Sequence, residues 1–368
     1  MRTSLLLVAV LGACAGDSEP SAIELKMNVV IQPGVEAEYC QFVKIPDAWV
    51  TRDSVEFTGG SHHVLLYNTR YTAIPTQKDD GTPVDTSKPF DCSDGATNGW
   101  SIDKLIAGSQ NRNGDSLLAF PEGVGMHVGG IGLINVHYIN SGEAPLATDV
   151  KIRLETIDAA DVTVEGDILF LYNPLISVRA GSTARAHWRC PVHQDITIAN
   201  VQSHMHSRGI DFAARVDDNA PFYTNQRWEN VPIQSYDSLT VRAGSKLDYY
   251  CDYRNTEGRS IYQGPRTTDE MCMLIGSYYP ADPRTSNCLD AAGNGFAGEW
   301  VGNGTTSCQA TLGCMQSAGN NFSALTDCVL ASAPSVSMEI SAVTRCLLTA
   351  TGDPIAQCGP QIQACAAK

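Results

Sequence analysis

Short apolar runs separated by turn-forming residues dominate residues 23 to about 280. This sequence pattern constrains the fold more than any other feature. Examples lie at residues 64–67, 131–138 and 168–172, and Gly, Pro, Asn and Asp separate them. Such runs have the length of β-strands, and amphipathic helical periods are scarce between them. Many short strands with intervening turns are typical of antiparallel sandwiches. The sequence therefore predicts a mainly β fold.

The chain has 368 residues, which is more than one domain with a single hydrophobic core usually contains. We expect two antiparallel jelly-roll-like β-sandwich domains, at residues 23–160 and 161–290. The glycine-rich residues 291–304 predict a linker. Residues 305–368 are small, helix-compatible and rich in cysteine. They predict a small helical module held by about three disulfides, because so short a segment has little core of its own.

The N-terminal residues resemble an export signal. Arg2 precedes an apolar run that is too short to span a membrane. The run leads through Leu-Gly-Ala to Cys14, which resembles a bacterial lipoprotein box. Residues 1–14 are thus expected to be a signal peptide with Cys14 lipidated, and residues 15–22 a tether, although cleavage after Ala15 is an alternative. Both interpretations predict an exported protein of the bacterial cell envelope, at the outer membrane or in the periplasm, and the first adds a lipid anchor as its only membrane attachment.

The net charge limits the classes of binding partner, and the cysteine content indicates the redox state of the compartment. The formal net charge is −15, and no Lys/Arg run is present, so nucleic acid and anionic lipid are poor partners. Removing Cys14 from the 13 cysteines leaves an even number, as expected where disulfides persist. Zinc-type C-x-x-C pairs are absent from the sequence, so we expect structural disulfides.

Eight histidines are unevenly distributed and supply candidate metal ligands. His204 and His206 are two apart on a predicted strand, so they point to the same face and can reach one ion. His62 and His63 are adjacent and would point apart on a regular strand, but the two glycines before them allow irregular backbone. His137 is a natural third ligand from another strand. A structural or surface role remains the alternative for each.

Met271 is the remaining candidate ligand, because a thioether selects Cu(I) over zinc, although core packing is its ordinary role. Across about residues 24–290 the chain resembles the copper type II ascorbate-dependent monooxygenases, which include the peptidylglycine α-hydroxylating and dopamine β-monooxygenases. Four segments carry the resemblance, in the family order: the paired-His strand at 61–67, the third-His segment at 121–138, the H-x-H segment at 203–209 and the Met segment at 269–280.

The resemblance implies two copper ions per chain, held in that family apart across a solvent-filled cleft between two sandwiches. It implies that an electron-transfer copper is held by His62, His63 and His137. It implies that an oxygen-binding copper, where the substrate is attacked, is held by His204, His206 and Met271. Ascorbate is the implied reductant, and O2 and a small molecule are the implied substrates.

The resemblance also implies roles for the remaining histidines and for the cysteines. His127 is expected to be a polar or supporting residue, while His187 and His193 match no ligand position. The implied disulfides are Cys40–Cys92, Cys190–Cys288 and Cys251–Cys272. The six cysteines of the tail are then expected to pair among themselves, with connectivity unreadable from sequence.

The chain departs from the peptidylglycine enzymes where those hold a substrate carboxylate. The corresponding positions carry Gln202, Met273 and Ile275, which offer no cation. A neutral or apolar substrate is therefore expected, with core packing as the alternative role of Met273 and Ile275.

The resemblance and the ligand types together predict a copper-dependent monooxygenase that hydroxylates a substrate C–H bond with O2 and two electrons. One alternative is a copper-binding or carrier lipoprotein without turnover. Another is a zinc hydrolase, although a matching H-E-x-x-H helix is missing from the sequence.

Overall fold

The computed structural model describes residues 21–111 and 117–368. The predicted signal peptide, Cys14 and most of the predicted tether lie outside the described residues. The described part is mainly β, with several antiparallel sheets and a helical C-terminus, as the sequence predicts. None of its helices has both the length and the apolar content that a membrane-crossing helix requires.

Ten strands belong to the described part of the first domain. They are β1 (Ala22–Met27), β2 (Val30–Ile31), β3 (Glu36–Phe57), β4 (Ser61–Thr69), β5 (Phe90–Asp91), β6 (Ile102–Ser109), β7 (Val124–Ile139), β8 (Leu146–Ala147), β9 (Val150–Ile157) and β10 (Val164–Glu165). Eight of them form one sheet in the order β1-β9-β3-β7-β4-β6, with β5 beside β3 and β10 beside β7, while β2 pairs with β8. The β10–β7 pair is parallel and the other pairs are antiparallel.

The long strands β3 and β7 give the first domain its shape. Their register shifts between Ile45 and Ala48, where Pro46 lies, because proline has no N–H to donate to the ladder. Side chains from β3, β4, β7 and β9 then meet in one apolar core that includes Phe42 and Leu66. The disulfide Cys40–Cys92, which the resemblance implies, is present beside this core.

Eleven strands build the second domain. They are β11 (Asp167–Tyr172), β12 (Ser177–Val178), β13 (Thr183–Pro191), β14 (Ile196–Met205), β15 (Gly209–Val216), β16 (Tyr223–Asn225), β17 (Gln234–Val241), β18 (Lys246–Arg254), β19 (Ile261–Tyr262), β20 (Cys272–Tyr279) and β21 (Glu299–Trp300). A four-stranded sheet, β11-β20-β14-β17, and a five-stranded sheet, β16-β15-β18-β13-β21, supply one shared core, and β12 pairs with β19. The short helix α1 (Pro283–Ser286) follows β20.

Two disulfides brace the second domain. Cys251 on β18 is bonded to Cys272 on β20, so the bond joins the two sheets directly beside Met271. Cys190 on β13 is bonded to Cys288, which follows α1. Both are pairs that the resemblance implies.

The C-terminal module contains α2 (Cys308–Ala318), α3 (Phe322–Leu330), α4 (Ser337–Thr349), α5 (Pro354–Gln357) and α6 (Gly359–Ala366). The prediction that its cysteines pair among themselves is confirmed, and the bonds are Cys308–Cys365, Cys314–Cys328 and Cys346–Cys358. Buried side chains of the module, such as Met315, Leu325 and Ile340, join the core of the second domain. The module therefore packs as an extension of that domain.

The predicted linker at 291–304 differs from the observed structure, because β21 lies within it and pairs with β13. Trp300 is fully buried and stacks on Trp188, with ring centroids 5.8 Å apart. Its Nε1 donates a hydrogen bond of 3.1 Å to Asn173 Oδ1. The glycine-rich composition indicated a linker, whereas burial of the indole holds this segment to the sandwich. Strand β10 is the last strand along the chain that pairs with the first sheet, and β11 is the first strand of the four-stranded sheet.

The two domains meet through the outer face of the four-stranded sheet. Along β20, Cys272 and Leu274 point into the core of the second domain, while Met273 and Ile275 pack with the core of the first. This alternation follows from the two-residue period of a strand. The contact brings the ends of β4, β7 and β14 together, and the candidate ligands lie there.

Candidate metal centre

Five histidines from the two domains converge at the domain contact. They are His62 and His63 on β4, His137 on β7, His204 on β14 and His206 just after β14. The ring centroid of His62 lies 5.0 Å from that of His204 and 4.9 Å from that of His206. His63 and His137 are 5.3 Å apart. Among the described residues, His62, His63 and His204 can each place one ligand atom within 4.8 Å of the others.

A β-bulge allows the adjacent histidines to share one site. Ser61 pairs with Tyr138 and His63 pairs with His137, so His62 is the extra residue that has no partner on β7. The hydroxyl of Ser61 closes the bulge by donating to the carbonyls of His63 (2.9 Å) and His137 (3.0 Å). The bulge removes the strict alternation of side chains. The imidazoles of His62 and His63 therefore both reach the space between the domains. The irregular backbone that the two preceding glycines predict is present here.

His137 is oriented by a carboxylate. Its Nε2 lies 3.0 Å from Glu36 Oε1, and its Nδ1 is buried without a hydrogen-bond partner. Because a carboxylate only accepts, the proton is on Nε2 and the lone pair is on Nδ1. The hydrogen bond from His137 lowers the pKa of Glu36 to about 2. Glu36 Oε1 also accepts a hydrogen bond of 2.7 Å from the backbone N–H of Thr267, in the second domain.

His63 is oriented by an amide. Its Nε2 lies 3.0 Å from Asn135 Oδ1, and Asn135 Nδ2 donates to Glu38 Oε2 at 3.0 Å. Since Nδ2 faces the carboxylate, Oδ1 faces the imidazole and accepts its Nε2 proton. The lone pair of His63 is therefore on Nδ1. Burial raises the pKa of Glu38, which lines the space behind Asn135.

His206 is oriented by the backbone of the loop that leads to Met271. Its Nδ1 lies 3.0 Å from the carbonyl oxygen of Asp269, so Nδ1 carries the proton and the buried Nε2 keeps a lone pair without a partner. Glu270, fully buried, accepts hydrogen bonds from the backbone N–H groups of His206 (3.0 Å) and Arg208 (2.9 Å). Burial raises the pKa of Glu270 to about 7. These bonds hold the H-x-H segment against the Met271 loop.

His204 is oriented by a side chain of the other domain. Its Nδ1 lies 2.9 Å from Oε1 of Gln110, which follows β6 of the first domain. The other nitrogen, Nε2, is thereby left to face the cluster.

The environment favours the neutral form of four of these imidazoles, those of His62, His63, His204 and His206. Burial lowers the pKa of His63 to about 3 and that of His206 to about 4. Burial also lowers the pKa of His62 and His204 well below the ordinary value. Neutral imidazoles keep the lone pairs that a metal needs, and the buried ring nitrogens without partners are the Nε2 of His62, the Nδ1 of His137 and the Nε2 of His206. The donor set therefore fits copper.

Met271 and the predicted pocket residues line a cavity beside the cluster. The cavity has a volume of about 520 Å³, and His63, His204 and Met271 form part of its wall. Gln202, Met273 and Ile275 also line the cavity. Met273 and Ile275 pack with the core of the first domain as well, so they have both roles that the sequence left open. The remaining wall of the cavity is largely apolar, and of the residues described along it only Glu38 and Asp94 are acidic, while Lys and Arg are missing.

The expectation of well-separated ligand sets differs from the structure. Rings assigned to different copper ions lie as close as rings assigned to the same one, because the domains are in contact and His62 lies between the sets. Local sequence patterns place ligands on strands, whereas the distance between domains depends on long-range packing.

The other three histidines lie away from the cluster. His127 is at the surface, where it pairs with Asp47 at 2.9 Å and packs on Trp49. It is a polar residue that contacts none of the five clustered rings. His187 pairs with the buried Asp248 at 2.8 Å, and His193 bonds to the carbonyl of Leu289.

Sequence reasoning missed the residues that orient the imidazoles, which are Glu36, Asn135 and Gln110. Asn135 is two residues from His137 on one strand, so the two-residue period could have indicated it. Glu36 and Gln110 come from other strands, and no local signal marks them.

Comparisons with known proteins add one informative match. The family model for the copper type II ascorbate-dependent monooxygenase, C-terminal domain, matches residues 180–297. This segment contains His204, His206 and Met271. A comparison with curated proteins finds no match.

Two solved structures show only weak likeness. PNGase F, a glycosylasparaginase from Flavobacterium meningosepticum, has 8% identity, covers 70% of this chain and 99% of its own, and has a TM-score of 0.35. The coconut allergen cocosin has 10% identity, covers 80% of this chain and 84% of its own, and has a TM-score of 0.16. At these TM-scores neither likeness supports an argument about this chain.

The matched family is copper type II and ascorbate-dependent, and two copper ions per chain are standard for it. The family domain implies copper-dependent, ascorbate-dependent monooxygenase activity in general. The neutral, inward-facing nitrogens of His204 and His206 are consistent with that chemistry. Residues 180–297 of the second domain are therefore similar to the C-terminal domain of the copper type II ascorbate-dependent monooxygenases, and this match supports the family that the sequence motifs indicate.

Proposed function

We propose that this chain hydroxylates a C–H bond of a neutral, largely apolar small molecule, using O2 and two electrons from a reductant such as ascorbate. One observation carries the proposal. Neutral imidazoles with free ring nitrogens face one space at the wall of an apolar cavity, and the thioether residue Met271 lines the same cavity. A set of metal-ligating side chains beside an apolar pocket suits the oxidation of a bound C–H bond.

The ligand assignment is part of the proposal. His62, His63 and His137 would hold the electron-transfer copper, and His204, His206 and Met271 would hold the copper that meets O2. Bound copper supplies one-electron redox chemistry, so two ions together supply the two electrons that the reaction needs. The thioether favours the reduced ion at the second site.

The protein contributes orientation and exclusion of water. Glu36, Asn135 and the carbonyl of Asp269 each hold the proton of one imidazole on the ring nitrogen that faces away from the cluster. The rings are thus fixed in the tautomer that presents a lone pair. Met273 and Ile275 supply apolar surface that would orient the substrate next to the metal.

Charge in the cavity supports a substrate that is not an anion. Lys and Arg are missing from the described residues along its wall, and the acidic residues Glu38 and Asp94 are present. An anionic substrate would lose its hydration without gaining a cationic partner. This agrees with the replacement of the carboxylate-binding positions by Gln202, Met273 and Ile275.

Oxygen uptake with a matched substrate panel tests the proposal. The copper-loaded chain is supplied with ascorbate and with neutral, carboxylate and amine forms of the same aromatic or aliphatic skeletons, and uptake and product are measured. We expect turnover with neutral members and none with carboxylates, including peptides that end in glycine. Two bound copper ions without turnover of any member would instead support a copper carrier. Binding of one zinc and no copper would support the hydrolase alternative.

We also propose that the chain is exported and lipid-anchored in the bacterial cell envelope. The lipoprotein-like box at Cys14 supports this, and so do six disulfides, which persist in oxidising compartments. Labelled palmitate should be incorporated by the wild-type chain and not by Cys14→Ser. A mature chain that begins at Gly16 without label would show ordinary signal cleavage.

A further inference from the structure

Gln110 connects the two domains at the metal centre. It follows β6 of the first domain, and its side chain makes three hydrogen bonds to the second. Its Nε2 lies 2.8 Å from Gln202 Oε1 and 2.7 Å from the carbonyl oxygen of Ser203. Its Oε1 lies 2.9 Å from His204 Nδ1. One amide therefore contacts three consecutive residues of β14.

The surroundings fix the orientation of this amide and the tautomer of His204. The carbonyl of Ser203 can only accept a hydrogen bond, so the amide nitrogen of Gln110 must face it. The amide oxygen then faces His204, which must donate from Nδ1. The lone pair of His204 is consequently on Nε2, the nitrogen on the side of the cluster.

The segment that carries Gln110 is held on both sides. Asp53 is fully buried, and its two carboxylate oxygens accept hydrogen bonds of 2.9 Å from the backbone N–H groups of Gly108 and Leu118. The next residue, Asn111, donates 2.8 Å from Nδ2 to the carbonyl of Val231 in the second domain. Gln110 is thus presented by a fixed segment of the first domain that docks on the second.

We propose that Gln110 is a positioning residue of the oxygen site. It holds the tautomer and direction of His204, and because it belongs to the first domain, it makes that orientation depend on contact between the domains. This inference rests on the proposed function, in which His204 is a copper ligand. A site whose ligand is oriented from across the contact is complete only when the domains are closed.

Three variants separate the two roles of this amide. Gln110→Met keeps the length of the side chain and removes the acceptor and both donors. Gln110→Glu keeps an acceptor for His204 Nδ1–H but loses the donors to Gln202 and Ser203. Gln194→Met is the matched control, because Gln194 bonds only to the carbonyls of Pro280 and Ala281, on the surface and away from the cluster.

The readouts are copper affinity by competition, the Cu(II) paramagnetic resonance spectrum and the radius of gyration of the metal-free chain. We expect Gln110→Met to weaken one of the two copper sites by roughly 10- to 100-fold, as loss of a ligand's hydrogen-bond partner typically does, and to change the spectrum of that site alone. Gln110→Glu should restore most of that affinity. Gln110→Met should have a larger radius of gyration than the wild type. Gln110→Glu should match the wild type, because its acceptor still reaches His204 across the contact, and Gln194→Met should match it as well.

The outcomes distinguish this inference from the proposed function. If the wild type binds copper and Gln110→Met retains both affinities and an unchanged spectrum, the positioning role is wrong. If Gln110→Met keeps the wild-type radius of gyration, the dependence on domain contact is wrong. If Gln110→Met does not fold, Gln110→Glu decides: wild-type copper affinity at the wild-type radius supports the inference, and wild-type copper affinity at a larger radius contradicts it. A wild-type chain that takes up no copper contradicts the proposed function itself.

Discussion

At the scale of single residues, the candidate centre depends on which nitrogen of each imidazole carries the proton. The sequence predicted all five clustered histidines, because strand periodicity and the family motifs mark them. It could not predict their partners. Glu36 and Gln110 reach the centre from distant strands, and only the folded chain brings them within 3.0 Å of an imidazole.

Met271 gives the sharpest prediction at this scale. We expect Met271→Ala to lower ascorbate-driven O2 uptake at least roughly 100-fold, since losing even a hydrogen-bond partner of a ligand typically costs 10- to 100-fold. The matched control is Met338→Ala, because Met338 is 66% exposed on α4 and distant from the cavity. Steady-state uptake of both variants measures the effect. Full turnover by Met271→Ala would show that the oxygen-site assignment is wrong.

At the scale of strands and helices, local sequence patterns predict an element where the pattern is regular. They fail where tertiary burial determines the structure instead. The bulge at His62 was foreseeable from the two glycines before the pair. Strand β21 was not, because its surroundings are rich in glycine and only contact with β13 and α4 buries Trp300. The helical module was predicted from its cysteines, but its shared core with the second domain was not.

Trp300 tests whether the module and the sandwich share that core. We expect Trp300→Ala to lower the free energy of unfolding by about 3–5 kcal/mol, because it opens a cavity and removes the stacking on Trp188. Phe322→Ala is the control, since Phe322 is 43% exposed on α3. Denaturant unfolding of the disulfide-bonded chains provides the measurement. Equal effects of the two substitutions would contradict a shared core.

The buried carboxyl group of Asp53 accepts hydrogen bonds from the backbone of Gly108 and Leu118. It predicts that the free energy of unfolding depends on pH. Burial raises the pKa of this carboxyl from 3.8 to about 7, so between these values the folded state binds more protons than the unfolded state. Its contribution to stability is present below the lower value and is lost as the pH rises through about 7. The unfolding free energy of the metal-free wild type, minus that of Asp53→Asn, should therefore fall by up to about 4 kcal/mol from pH 4 to pH 8.

The exposed Asp103, substituted in the same way, provides the control for the Asp53 prediction. The fall in the Asp53→Asn difference should exceed any change in the Asp103→Asn difference over this range. A flat curve for Asp53→Asn, or one that rises with pH, would show that the buried carboxyl is not protonated in the folded chain.

At the scale of the whole molecule, the placement of the domains sets the distances between the candidate ligands. The expectation of a wide cleft between ligand sets came from the resemblance and does not describe this structure, in which His62 lies about as close to His206 as to His63. Periodicity and motifs assign side chains to strands. They carry no information on how two sandwiches pack, because that depends on contacts such as those of Met273 and Ile275 with the first-domain core.

Transfer of isotopically labelled oxygen tests the central claim most directly. The copper-loaded chain is supplied with ascorbate, oxygen-18 gas and the neutral substrates of the panel, and the product is analysed by mass spectrometry. The proposed function predicts a hydroxylated product that carries one labelled oxygen atom, and no such product from the metal-free chain. Two bound copper ions with no labelled product from any member would contradict it.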